Sequence, residues 1–91
     1  MTESEFIERL ERSGKSGETL ALIESLGFRR EFVLEQMLNQ SGALTVAHIA
    51  MLWQGMPNKH DRKRTRALLD ALTEAGLLSH DEQAETWTPL P

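Results

Sequence analysis

The chain is 91 residues long, 40% hydrophobic and 26% charged, with a formal net charge of −4; that is enough for one small domain burying about 60–65% of its unfolded surface. Cysteine is absent, which excludes disulfides and thiolate metal sites. The acidic opening "MTESEFIERLER" has no signal-peptide core and the longest apolar run, "IAMLW", is too short to cross a bilayer, so a cytoplasmic protein is expected.

Taken in chain order, "TESE" has the form of a capping box, with Thr2 at the cap and Glu5 three positions on. It predicts a short helix carrying Phe6, Ile7 and Leu10 and stopping near Gly14. Ser16 is expected to cap a second helix, in which Leu20, Ile23 and Leu26 share a face and Gly27 follows the end. The stretch "RREFVLEQMLNQSG" sets Phe32, Val33, Met37 and Leu38 at helical spacing and predicts a third helix ending on Gly42. A short extended "ALT" follows, with Thr45 capping a fourth helix whose inward residues are Val46, Ile49, Ala50 and Trp53. "QGMPN" reads as a turn, because Pro57 pushes Met56 out of helical dihedrals. A long helix from about 59 to 76 then presents Thr65, Leu68, Leu69, Leu72 and Ala75 as its core stripe. After Gly76 the pattern changes: "LLSH" and "ETWT" flank a polar turn, Leu78 and Trp87 point inward, and Pro89 and Pro91 end the ordered part.

The order from residue 29 is therefore helix, short extended piece, helix, turn, long helix, β-hairpin. The stretches "ALTVAHIAMLWQG" and "TRALLDALTEAGLLSHDEQAETWTP" resemble the strand, second helix, third helix and wing of the winged helix-turn-helix superfamily. The more specific of the two is the pattern LLxxLxxAGLL followed by a hairpin with an aromatic. The resemblance implies a mainly α fold with a small β-hairpin wing, a winged-helix domain over 29–91 and an N-terminal helical extension over 1–28. Whether that extension packs on the core or pairs with a second copy stays open, since its first helix offers only Phe6, Ile7 and Leu10.

Charge is distributed unevenly. "NKHDRKRTR" at 58–66 holds five of the ten Lys+Arg residues against one acid, Asp61. At 100° per residue, with Leu72 buried, Lys59 and Lys63 point outward, Arg62 and Arg66 lie on one flank and Arg64 toward the other. Asp70 and Glu74 follow on the outer face. Cations at a helix N-terminus oppose the macrodipole at roughly 0.3–1 kcal/mol each, and the i, i+4 pairs Lys59/Lys63 and Arg62/Arg66 repel. Asp61 and an Arg66–Asp70 pair recover part of this cost. Such an order makes sense if a polyanion supplies the missing negative charge. The resemblance implies the same thing, since in many winged-helix proteins this half of the third helix contacts DNA. The candidate contacts are Asn58, Lys59, His60, Arg62, Lys63, Arg64 and Arg66, with Thr65 turned to the core and Arg29 and Arg30 as an outlying second contact. Double-stranded DNA is preferred to RNA because no aromatics interleave the run. The turn "SHDEQAETW" departs from the family pattern: it carries Asp81, Glu82 and Glu85 and no Lys or Arg.

Other motifs fail. "SGKSGET" lacks the first P-loop glycine, because Arg9 stands there. His48, His60 and His80 are 12 and 20 residues apart, which is no metal-ligand spacing. No catalytic set stands out, so neither an enzyme nor a cofactor is expected. Two readings lead, with RNA binding a weaker third. One is a homodimeric DNA-binding transcriptional regulator, two copies being needed because one recognition helix reads few base pairs. The other is a winged-helix protein-interaction module, an adaptor or inhibitor, whose basic run docks on an acidic protein.

Overall fold

A computed structural model describes residues Met1–Pro91. The fold is mainly helical with a small antiparallel β-hairpin at its C-terminal end. Helices α1 (Glu3–Ser13), α2 (Ser16–Ser25), α3 (Arg30–Val33, continuing as a π-helical turn over Leu34–Leu38), α4 (Val46–Gln54) and α5 (Lys59–Glu74) precede strands β1 (Leu78–Asp81) and β2 (Thr86–Pro89). No helix is long and apolar enough to cross a membrane.

Helix α5 is the spine, and α2, α4 and β1 all pack on it. Leu68, Leu69 and Leu72 are fully buried along it, each contributing about 1.5–3 kcal/mol. That exceeds the roughly 0.3–1 kcal/mol per adverse cation at its N-terminus, so α5 persists despite its charge order. The same 17-residue cluster takes in Phe6 and Leu10 of α1 and Ile23 of α2, together with Val33, Leu34, Met37 and Leu38 of α3, Ile49 of α4 and Trp87 of β2. Residues 1–28 are thus packed on the core. The Cα radius of gyration, 12.2 Å, is what a single compact domain of this length has, about 12 Å.

Helix ends follow local chemistry. Thr45 Oγ1 accepts from the His48 N–H at 3.2 Å, as its cap role requires. Gly27 (φ 86°) and Gly76 (φ 81°) take the left-handed residue of two Schellman ends. In the first, the Phe28 N–H reaches Ile23 O and the Gly27 N–H reaches Glu24 O; in the second, the Leu77 N–H reaches Leu72 O and the Gly76 N–H reaches Thr73 O. Phe28 and Leu77 are thereby swung straight into the core.

Four expectations need correction. Ser16 lies inside α2 and Lys15 holds the cap position, because the Ser13 hydroxyl accepts the Lys15 N–H and the helix begins one residue earlier. The third helix stops at Leu38 rather than Gly42. Leu34 is buried where Phe32 was expected and Phe32 is half-buried, because the inward face runs through Val33, Leu34, Met37 and Leu38 at i, i+3 and i+4 spacing. Asn39, just beyond, is held by Met1 through its side-chain oxygen (2.7 Å) and amide (2.9 Å). Both strands begin one residue later than expected. Finally, the chain stays ordered past Pro89: the Leu90 N–H donates to Leu77 O, and Arg9 reaches Leu90 O and Pro91 O.

Register fixes the hairpin's inner face. Leu78 pairs with Pro89, His80 with Trp87 and Asp81 with Thr86. The extended piece adds one antiparallel bridge on the other side of β2, Leu44 with Trp87. Trp87 is fully buried there, and its Nε1 has no hydrogen-bond partner.

Candidate nucleic-acid interface

The first turn of α5 solves its own electrostatic problem. Asn58 caps it, accepting the Asp61 N–H at 2.8 Å, while Asp61 Oδ2 accepts the Asn58 N–H at 3.1 Å. This reciprocal pair is the complete capping box of the molecule. At α1, by contrast, Thr2 Oγ1 accepts the Glu5 N–H, but the Glu5 carboxylate takes only the Thr2 hydroxyl. A box puts a carboxylate against the positive end of the helix dipole, offsetting the cations around it. The signal was present in the sequence as Asn-x-x-Asp.

From this start, α5 aims Lys59, Arg62, Lys63 and Arg66 into one open groove of about 530 Å³. Thr45, Val46 and Ala47 at the N-terminus of α4 form one wall, and Ala84, Glu85 and Trp87 of the hairpin form the other. The Thr45 cap occupies the His48 N–H, which leaves the N–H groups of Val46 and Ala47 as orphan donors at the positive end of α4. Lys59, His60 and Lys63 are exposed and form no ion pair with any acid of the protein. Arg62 donates to Pro57 O at 3.1 Å across the four-residue turn.

The remaining predicted residues are placed differently. Asn58 gives its side-chain oxygen to the cap. Arg64 leaves the groove altogether: it donates to Leu26 O at the end of α2, lies 4.9 Å from the Trp53 ring centroid and sits 3.9 Å from Asp61. Thr65 is buried, accepting from Trp53 Nε1 and donating to Asp61 O, both at 2.9 Å. Arg30 pairs with Glu3 at 3.4 Å, and neither it nor Arg29 lines the groove.

The acidic turn does not simply stand clear. Asp81 folds back to accept the Gln83 and Ala84 N–H groups. Glu85, at φ 54°, turns into the groove, where its carboxylate accepts from His80 Nε2 (3.1 Å) and Arg66 (3.2 Å). The His80 bond, then the Arg66 bond, hold its pKa below the usual carboxylate value. Arg66 also lies 5.5 Å from the Trp87 ring centroid and 3.7 Å from Asp70. Sequence spacing foresaw the Asp70 contact, but nothing local to Arg66 names Glu85 or Trp87.

Compared with family models, curated proteins and solved structures, the chain gives no match. The groove brings together four cations, one carboxylate, two free backbone donors and an aromatic floor at one end.

Proposed function

We propose that this chain is a small winged-helix DNA-binding protein, a transcriptional regulator acting as a homodimer, which grips the phosphates of duplex DNA with the N-terminal half of α5. The observation that carries the reading is the convergence of Lys59, Arg62, Lys63 and Arg66 on one groove beside the free N–H groups of α4. Lys59 and Lys63 are held there with no acid of the protein to neutralise them. Phosphate contacts release condensed counterions, which makes such a face favourable on a polyanion. One α5 helix reads few base pairs, and a second copy extends the site.

The test is fluorescence anisotropy with random and promoter-derived duplexes across a salt series. Affinity should fall steeply with salt, and Lys63→Ala should lower the log–log slope by about 0.9, one phosphate contact. No binding to any duplex at about 50 mM salt, where such contacts are strongest, would rule the reading out. The second reading, a protein-interaction module, is favoured by one observation: the groove already accepts a carboxylate, Glu85, at Arg66. It predicts that an acidic partner protein is captured while duplex DNA is not.

A further inference from the structure

Glu85 is the one acid lining the cationic groove. Its backbone takes the left-handed conformation (φ 54°), which L side chains other than Asn and Asp seldom adopt, and it is the protein's single non-glycine residue to do so. The effect is to turn the carboxylate back toward α5. One oxygen accepts from Arg66 and the other from His80. His80 is itself fixed by stacking on Trp87, with ring centroids 4.2 Å apart and planes 7° from parallel. The Arg66–Glu85 pair is about half exposed on both sides, the kind of ion pair that a better anion can replace.

We infer that Glu85 is an affinity-setting residue of the groove: its carboxylate occupies Arg66 in place of a phosphate, and an entering polyanion must displace it. This rests on the reading of the groove as a phosphate receptor. Two consequences follow from electrostatics. Arg66 carries little net charge toward a ligand while Glu85 holds it, so it contributes less counterion release than Lys63. The free carboxylate also repels an approaching phosphate, which selects for ligands that engage several cations at once. A single phosphate gains too little from Arg66 to evict Glu85, whereas a duplex or a polyphosphate chain also reaches Lys59, Lys63 and Arg62.

The test compares wild type with Glu85→Gln, which removes the charge and keeps the shape. Glu85→Gly serves as a second variant suited to the backbone conformation, with thermal unfolding confirming that each is folded. Two probes are used: a random 20-base-pair duplex over a salt series by anisotropy, and inorganic tripolyphosphate followed by NMR at the Arg66 Nε–H signal. Both variants should bind each probe about five- to tenfold more tightly, and the duplex slope should steepen by about 0.9, one recovered contact. Adding Arg66→Ala should cancel the gain, as a coupled pair requires. Unchanged affinity for both probes would overturn the inference, as would a gain that survives Arg66→Ala. If no variant binds duplex, the DNA reading falls. The tripolyphosphate comparison then decides the role of Glu85 separately.

Discussion

Arg64 and Arg66 stand two positions apart on α5 in one basic run, yet the fold uses them in opposite ways. Each meets a tryptophan and a carboxylate. Arg64 faces the N-terminal helices, with the Trp53 ring, Asp61 and the last carbonyl of α2 as partners. Arg66 faces the hairpin, with the Trp87 ring, Glu85 and Asp70. Exposure separates them: the Arg64 side chain is 28% accessible and that of Arg66 47%. A guanidinium that satisfies an orphan helix carbonyl in a half-buried site is part of the scaffold. One that bridges exposed acids remains open to exchange. The basic run therefore divides into a latch toward α2 and a set of ligand-facing cations.

That division is easiest to break at the latch. Arg64→Ala should cost about 2 kcal/mol, a charge-assisted hydrogen bond with its cation–π contact. In a protein this size it should lower the melting temperature by about 10 °C, yet leave the salt slope of duplex binding unchanged. Next comes Gly27→Ala. A Cβ there would stand 2.8 Å from Arg64 Nη2 at φ +86°, and the left-handed backbone alone costs about 1–2 kcal/mol; the denaturant midpoint should fall with no change in m. Trp53→Phe retains the ring against Phe28, 4.7 Å away, but loses the bond to Thr65, and about 1 kcal/mol is expected from the same titration. Arg66→Ala should stay within about 0.5 kcal/mol of wild type in stability, because its pairs are exposed. If it destabilised as much as Arg64→Ala, the contrast between the two arginines would collapse.

The smallest effect is on pH. Glu85 binds its partners as the carboxylate, and its folded pKa is lowered by His80 first and Arg66 second from an ordinary 4.5. Its contribution is therefore complete above that value and lost as pH falls through the lowered one. Glu85→Gln should flatten this acid limb in urea midpoints measured against pH.

Much of the architecture was legible residue by residue. Thr2 and Thr45 announced their helices, Gly27 and Gly76 their ends, and the Leu68–Leu69–Leu72 stripe its buried face. Phe32 and Leu34 exchanged places because the inward face runs through Val33, Leu34, Met37 and Leu38, which leaves Phe32 at its edge. Ser16 lies one residue inside its helix, and Lys15 holds the cap position with its N–H taken by the Ser13 hydroxyl. At the site, the run's outward cations Lys59 and Lys63 were placed correctly, while Arg64 was not recognisable as a latch.

The sequence by itself determined the helix ends marked by Thr2, Thr45, Gly27 and Gly76, which face of α5 is buried and that positive charge collects at its N-terminal end. These depend on hydrogen bonds and side-chain spacings within about five residues, which a linear pattern records. Only the tertiary structure decided which arginine locks and which stays free. The partners concerned, Leu26 for Arg64 and Glu85 for Arg66, lie 38 and 19 positions away. An arginine can satisfy any carbonyl or carboxylate within reach, so its role is set by what the packed core brings beside it.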